Sequence, residues 1–347
     1  MSTGKKSNPF DLLATGIGAV TVTTLAAAGG WIVYSNLLID HNLSLPEAIP
    51  ADRQIFFSKT AGRLSYYVDR QTSGRPLVLI HSVNAAASAY EMRPLFDNYR
   101  FRRPVFALDL PGYGFSERSP RVYTSKFFED AIMDLLVSQV GEPSDVVALS
   151  LGCEFVARAA LNEPGLFHSL TFISPTGLGQ RNNQTRSRWQ ASKQAGGQGN
   201  NARVYAVLSF PIWARALFDL IASRASIQYF LQKSFTGPIA PGFVDYDYLT
   251  AHQPGAENVP LYFISGRLFT PDISGRVYEN LKMPVMVLYD RDGFTNFNQL
   301  PAVLEKNPLW KATRIKHTLG LPQFEKLAET VEAMDIFWRN QENTAHK

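Results

Sequence analysis

The sequence predicts an α/β protein with a mostly parallel central sheet flanked by helices. Short apolar, β-branched runs alternate with segments of helical periodicity along most of the 347 residues, and this alternation builds a parallel sheet with right-handed crossovers. One run, 146–149, ends on Ser150 and is followed at once by an apolar helical segment. Another run, 104–108, leads directly into a turn that contains Pro111 and two glycines.

The composition is that of a packed globular protein, with 45% hydrophobic and 18% charged residues. The formal net charge of +4 is mild, and no stripe of Lys and Arg with interleaved aromatics supports nucleic-acid binding. The single cysteine, Cys153, rules out an intrachain disulfide. No metal-ligand spacing occurs in the sequence. We therefore expect no metal, no cofactor and no nucleic-acid partner.

The N-terminal region predicts a membrane segment. Residues 12–39 carry no charge, and about 20 apolar residues suffice to cross a bilayer. The first interpretation is a retained signal-anchor helix; a cleaved signal peptide ending near residues 26–28 and a buried or interfacial helix are the alternatives. Lys5 and Lys6 before the segment and Asp40 after it favour a soluble domain on the non-cytoplasmic side.

The rest of the chain divides into a core that is interrupted by an insertion. Alternating strands and helices give way after residue 177 to helical, aromatic-rich sequence, and the strand pattern resumes near residue 282. The predicted units are a tail over 1–11, the membrane helix over 12–39, a linker over 40–52, a core over 53–176 and 282–340, a helical cap over 177–281 and a tail over 341–347. The predicted strands are 54–58, 63–68, 76–80, 104–108, 146–149, 170–174, 284–289 and 313–315.

Two motifs carry chemical information. Strand, sharp turn and helix meet at Ser150, where small flanking residues such as Gly152 let the two elements approach each other closely. The second motif is a D-x-P-G-x-G-x-S turn that begins at Asp109 and includes Gly112 and Gly114. These motifs, in their order along the chain, resemble the α/β-hydrolase family, with Ala148 in place of the first glycine of G-x-S-x-G.

The resemblance implies roles for several residues. Ser150 would be the nucleophile, and the backbone N–H groups of Val83 and Leu151 would form the oxyanion hole. His81 would support its loop rather than act as the base. Structural roles in the two motifs fall to Asp109, Gly112, Gly114 and Gly152.

The remaining two members of a catalytic triad are less regular. Register after the strand 284–289 puts Asp292 in the place of the family's acid, with Asp290 as the reserve. The family's histidine position is occupied by Gly320, and the nearest imidazole is His317. A serine needs a neighbouring proton acceptor. Either a remodelled loop brings His317 to Ser150, or the loop keeps the family's course and the site lacks a conventional base.

We therefore expect a membrane-anchored serine hydrolase that acts on an ester-type bond of an apolar small molecule or lipid-like substrate. Ser150, His317 and Asp292 would form its triad. The alternative, from another functional class, is a catalytically impaired binding or scaffold protein that keeps the fold and the pocket.

Overall fold

The computed structural model describes residues 27–179 and 198–345. The described residues form one eight-stranded sheet in the order β1-β2-β4-β3-β5-β6-β7-β8. The antiparallel pairs are β1–β2 and β2–β4, and all other neighbours are parallel, which confirms the predicted sheet. The strands are β1 (Asp52–Ser58), β2 (Gly62–Asp69), β3 (Leu77–Ile80), β4 (Val105–Asp109), β5 (Ser144–Leu149), β6 (Phe167–Ile173), β7 (Val285–Tyr289) and β8 (Trp310–Arg314).

Strand β8 begins three residues earlier than the sequence predicts. The prediction followed the β-branched residues Thr313 and Ile315, whereas the strand is anchored by Trp310, which is buried. The indole ring packs against Phe172 and Tyr278 at centroid distances of 5.8 and 5.4 Å. Aromatic packing of this kind depends on neighbours that are remote in the sequence.

Helices cover both faces of the sheet, and the core is divided between the two faces. In β3, Val78 and Ile80 belong to one buried cluster, and Leu77 and Leu79 belong to the other, as the two-residue period of a strand requires. The helices outside the insertion are α1 (27–38), α2 (Arg93–Tyr99), α3 (Ser125–Leu135), α4 (Gly152–Asn162), α11 (Leu300–Lys306), α12 (Pro322–Glu325) and α13 (Leu327–Ala345).

The described part of the insertion between β6 and β7 is helical. The sequence predicts one helical segment over 204–221, but the structure divides it, because Pro211 lacks the N–H that a continuous helix would use. The sequence also contains a basic stretch over 180–201, with Arg181, Arg186, Arg188 and Lys193 and no acid, and most of it lies outside the described residues. The helices of the insertion are α5 (Gln198–Leu208), α6 (Ala214–Ile221), α7 (Arg224–Gln232), α8 (Phe243–Ala251), α9 (Asn258–Ile264) and α10 (Ile273–Arg276).

The N-terminal helix α1 contacts the cap. The indole N–H of Trp31 donates to the carbonyl of Ala216 at 2.7 Å, and the buried Ser35 hydroxyl donates to Asp219 at 2.5 Å. His41, just after the helix, lies 3.0 Å from the same carboxylate. Only residues 27–39 of the predicted membrane segment are described, and no helix in the described ranges is long and apolar enough to span a bilayer.

Candidate active site

Ser150 lies on a strained turn at the carboxyl end of β5. Its φ is 52°, a left-handed conformation that costs energy for a residue with a side chain. The turn is fixed because the Ser150 N–H donates to the Ile173 carbonyl at 2.9 Å. Two residues later, a Cβ added to Gly152 would lie 2.5 Å from the His81 carbonyl oxygen. Only glycine therefore lets α4 start this close to the neighbouring strand.

Ser150 opens into a cavity of about 510 Å³ between the sheet edge and the cap. The Ser150 hydroxyl makes no hydrogen bond to any described residue. The apolar wall comes mainly from cap helices α6, α7 and α9, and it includes Ile221, Ile227, Phe230, Leu231, Phe263 and Ile264. The floor is polar, and it includes Ser82, Asn84, Glu91, Ser150, Thr176 and Asp292.

The loop after β3 is held by a buried carboxylate. Glu91 accepts hydrogen bonds from the Ser82 N–H at 2.7 Å, from the Ser82 hydroxyl at 2.8 Å and from the Asn84 amide at 3.0 Å. Burial raises the pKa of Glu91 to about 7. Glu91 is a residue of this site that the sequence analysis did not identify. The available signal was a single acid within the otherwise apolar segment 89–92.

His81 is enclosed in the same loop and has no free nitrogen. Its Nε2 accepts from the Leu110 N–H at 2.9 Å, and its Nδ1 lies 2.6 Å from the Ser82 carbonyl. Burial lowers the pKa of His81 to about 3, so the ring is neutral and donates from Nδ1. Its contacts are those of a residue that supports the loop.

The turn after β4 packs around Asp109. Its carboxylate accepts from the N–H groups of Ala89 and Phe115 at 3.1 and 3.0 Å, and burial raises the pKa of Asp109 to about 6. A Cβ on Gly114 would lie 2.0 Å from the Asp109 carboxyl carbon. A Cβ on Gly112 would lie 2.2 Å from Val259 of cap helix α9. The turn thus joins the loop after β3 to the cap.

The two predicted oxyanion donors lie at the ends of adjacent strands. Val83 lines the cavity, and Leu151 directly follows the nucleophile position; both residues are buried. Neither N–H donates to an acceptor among the residues that the structure describes. Backbone N–H groups in this position are suited to an oxygen that gains negative charge.

Asp292 lines the same cavity as Ser150. One carboxylate oxygen accepts from the N–H groups of Phe294 and Thr295 at 2.6 and 3.1 Å. The other faces Gly320, where an added Cβ would lie 3.2 Å from it and 3.5 Å from the Ser234 hydroxyl. Burial raises the pKa of Asp292. We call the space between Asp292, Gly320 and Ser234 the Gly320 niche.

The structure does not bring His317 to Ser150. His317 is exposed and lines a separate surface cavity of about 350 Å³. The reason lies in the loop after β8. The Thr318 N–H donates to Asp290 at 3.2 Å, the Thr318 hydroxyl donates to the Ile315 carbonyl at 2.7 Å, and His317 between these anchors has a φ of 63°. This left-handed turn leaves Gly320, not His317, beside Asp292.

Asp290, the reserve candidate for the acid, also lies away from Ser150. Its carboxylate accepts from Arg314 at 2.5 Å and from the Thr318 N–H, and it lines the surface cavity with His317. Asp290 is therefore a structural acid that fixes the loop after β8.

Comparison with known proteins agrees with this architecture. The model of a family described as "Alpha/beta hydrolase family" matches residues 77–328. The chain belongs to the alpha/beta hydrolase family. Among curated proteins, the uncharacterized hydrolase YugF of Bacillus subtilis is 30% identical over 122 residues. That match covers 35% of this chain and 44% of YugF, so the chain spans less than half the length of this relative.

Solved structures with the same fold include several other alpha/beta hydrolases. A thermophilic esterase from Thermogutta terrifontis has a TM-score of 0.61 at 16% identity, covering 84% of this chain and 99% of the esterase. A membrane phospholipase A, described as a novel bacterial virulence factor, has a TM-score of 0.64 at 16% identity, with 96% of each chain covered. At these identities the likeness establishes the fold alone.

This alpha/beta hydrolase has no histidine in the described lining of its Ser150 cavity. His168 pairs with Asp145 at 2.8 Å. His41 and His252 lie next to each other in the cap region, with ring centroids 5.9 Å apart. His346 lies outside the described residues. The usual proton acceptor is therefore absent from the described site.

The ionisable groups of this cavity are acids. Its described lining contains Glu91, Asp247 and Asp292 but neither Lys nor Arg. Asp247, on α8, is only 6% exposed, and no described residue donates to its carboxyl or pairs with it. Burial, and then the nearby Glu91, raise the pKa of Asp247 well above its ordinary value.

Proposed function

We propose that this protein hydrolyses an ester-type bond of an apolar or lipid-like molecule, with Ser150 as the nucleophile. The observation that carries the proposal is the Ser150 hydroxyl on a strained turn at the floor of an apolar cavity. Attack by Ser150 on the carbonyl carbon forms a tetrahedral intermediate, and the N–H groups of Val83 and Leu151 receive its oxyanion. Collapse releases the alcohol, and water then hydrolyses the acyl-enzyme.

The proton of Ser150 is the critical point of this proposal. A serine hydroxyl is a weak nucleophile unless a neighbour takes its proton. In well-studied serine hydrolases, oxyanion and binding effects alone retain only about 10³–10⁴-fold acceleration over water. Here Asp292 could orient a base, but Gly320 has no side chain that could accept the proton. Turnover thus requires an acceptor other than a histidine of the described cavity.

The cavity supports an apolar substrate. Its volume of about 510 Å³ lies within the range of small-molecule sites, roughly 300–1,000 Å³, and aliphatic and aromatic side chains of the cap form most of its wall. A structural neighbour with near-complete coverage is a membrane phospholipase A, which favours a lipid-like acyl group for this chain.

Covalent labelling with a fluorophosphonate tests the nucleophile. We expect mass spectrometry to find the label on Ser150, and labelling and p-nitrophenyl ester hydrolysis to disappear in Ser150→Ala. A matched control is Ser138→Ala, which removes an exposed hydroxyl from the opposite end of the core and leaves both activities unchanged. Labelling or hydrolysis that persists in Ser150→Ala contradicts the proposal.

Gly320 favours a second candidate function, a ligand-binding protein without turnover. This protein would use the same cavity but would not release products. In that case apolar esters raise the melting temperature equally in the wild type and Ser150→Ala, and a single stoichiometric acylation, or none, replaces multiple turnover. Multiple turnovers that depend on Ser150 exclude this candidate.

We also propose attachment to a membrane through residues 12–39, with the soluble domain on the non-cytoplasmic side. The support is the uncharged sequence of this segment and the exposed apolar side chains in the described helix α1, namely Val33, Tyr34, Leu37 and Leu38.

Extraction of membranes with alkaline carbonate tests this attachment. The wild type should remain in the pellet. The double variant Val20→Arg/Leu25→Arg should be released, because each arginine at the centre of a spanning helix costs about 2.5–3.5 kcal/mol. Release of the wild-type protein into the carbonate supernatant contradicts the attachment.

A further inference from the structure

Gly320 occupies the position where the family resemblance implies a histidine, and it lines the cavity together with Asp292 and Ser234. A Cβ on Gly320 would point between the free oxygen of Asp292 and the hydroxyl of Ser234. The other Asp292 oxygen is held by two backbone N–H groups, so the carboxylate is fixed in orientation. No described residue donates to the oxygen that faces the niche. The Ser234 hydroxyl likewise has no partner within the described ranges.

The acidic side chains around the cavity favour a ligand with a basic, hydrogen-bonding group. Three acids and no Lys or Arg occur in its described lining. Asp247 is more than nine-tenths buried, opens into the cavity and is unpaired among the described residues. Leaving a buried polar group without a partner is costly. A ligand with hydrogen-bonding or cationic character would satisfy this group, whereas a purely apolar ligand would not.

We propose that the Gly320 niche binds an imidazole-like basic nitrogen that belongs to the ligand itself and accepts the proton of Ser150. This inference rests on the proposed function. The substrate class is therefore an apolar ester that carries an unprotonated nitrogen within reach of its scissile carbonyl.

The proton balance of this step is complete. The ligand's nitrogen lone pair takes the proton from Ser150 as the serine oxygen bonds to the carbonyl carbon. Asp292 stabilises the resulting cation, as a carboxylate does for an imidazolium in a triad. The cation then returns the proton to the leaving alkoxide. If the nitrogen stays with the acyl part, it activates the water of the second step in the same way.

Activation by added imidazole tests the inference. The probe reaction is hydrolysis of p-nitrophenyl butyrate, which has no basic nitrogen, in increasing imidazole. General-base catalysis contributes about 10²–10⁴-fold, so we expect a saturable rise of about 10²-fold in the wild type. Pyrazole, of the same size but much less basic, is the matched probe control and should give no rise.

Variants locate the activation in the niche. Gly320→Val fills the space and Asp292→Asn removes the charge that stabilises the cation, and both should abolish the saturable rise. Ser138→Ala, which removes an exposed hydroxyl that does not line the cavity, is the matched control and should retain the rise. Saturation-transfer NMR of imidazole adds a readout that is independent of activity: transfer should be seen with the wild type and Asp292→Asn at different strengths, and should be absent with Gly320→Val.

The possible outcomes separate the failure of the niche assignment from the failure of the proposed function. Rapid wild-type hydrolysis of the nitrogen-free ester without imidazole overturns the niche assignment but leaves the proposed function intact. A linear rise that is equal in Ser150→Ala is catalysis in bulk solution and also overturns the assignment. If no ester acylates Ser150, with or without imidazole, the proposed function fails as well.

Discussion

Asp290 and Asp292, which are separated by one residue after β7, lie in different environments. Asp290 is buried, pairs with Arg314 and borders a surface cavity together with the exposed His317. Asp292 opens into the apolar cavity together with Ser150, beside Gly320. In their described linings, the surface cavity has an imidazole but no serine, and the apolar cavity has Ser150 but no imidazole. A histidine that is close in sequence to the last strand therefore need not lie at the site. The conformation of the loop after β8 decides which residue lies there.

The largest expected effect is a difference in ester hydrolysis between a variant of the apolar cavity and a variant of the surface cavity. In imidazole-activated ester hydrolysis, Ser150→Ala should lower the rate by about 10³-fold or more, because the nucleophile is lost. His317→Ala should leave the rate unchanged, because this ring lies in the other cavity. Initial rates measured at equal protein concentration provide the check. If the two variants lose activity equally, His317 is the base and the comparison fails.

The second expected effect is on the pH dependence of stability, through Glu91 in the lining of the Ser150 cavity. Burial raises the pKa of Glu91 from 4.5 to about 7, so the folded protein holds this proton more tightly than the unfolded chain. The stabilisation is complete below pH 4.5 and is lost as the pH rises through about 7, with a total on the order of 3 kcal/mol.

Glu91→Gln removes this contribution, so its free energy of unfolding should fall less between pH 4.5 and 7.5 than that of the wild type. Urea unfolding at a series of pH values measures the difference. Asp109 and Glu154, whose pKa values burial raises to about 6, are present in both proteins and cancel in the comparison. Parallel pH profiles would contradict the assignment to Glu91.

A third effect concerns Asp290. Asp290→Ala removes the partner of Arg314 and leaves the buried Thr318 N–H without an acceptor. We expect a loss of about 1–3 kcal/mol of stability, read from urea unfolding. Asp292→Ala should lower the free energy of unfolding less, because the Asp292 side chain is less buried and accepts only from the N–H groups of Phe294 and Thr295 in its own loop. The reverse order would mean that Asp292, not Asp290, is the structural acid.

The smallest effect is expected at His317. Its side chain is exposed, and its left-handed conformation suits glycine. His317→Gly should therefore change the free energy of unfolding by no more than about 1 kcal/mol, in the stabilising direction. A marked destabilisation would show that the ring contributes contacts which its exposure does not suggest.

Much of this architecture is predictable from the sequence because it depends on local patterns. The eight strands follow from short apolar runs, and the two tight turns follow from Gly112, Gly114 and Gly152. The family resemblance, rather than a local pattern, indicates that Gly320 occupies the histidine position. For the strands and the turns, residues near one another in sequence determine the geometry.

Other features depend on contacts between remote residues, and sequence patterns do not encode them. The outward turn at His317 depends on the hydrogen bond from the Thr318 N–H to Asp290, 28 residues earlier. The role of Glu91 requires that the loop after β3 fold back over it. The contact of α1 with the cap depends on Asp219, which is 184 residues from Ser35.

The most direct test of the central claim is ester hydrolysis by Gly320→His without added imidazole. A histidine here would lie beside Asp292, so p-nitrophenyl butyrate hydrolysis should rise by about 10²-fold or more over the wild type, and Asp292→Asn in the same chain should abolish the gain. A folded Gly320→His protein that is no faster than the wild type, together with inactivation by His317→Ala, would contradict the claim that position 320 is where the proton acceptor is missing.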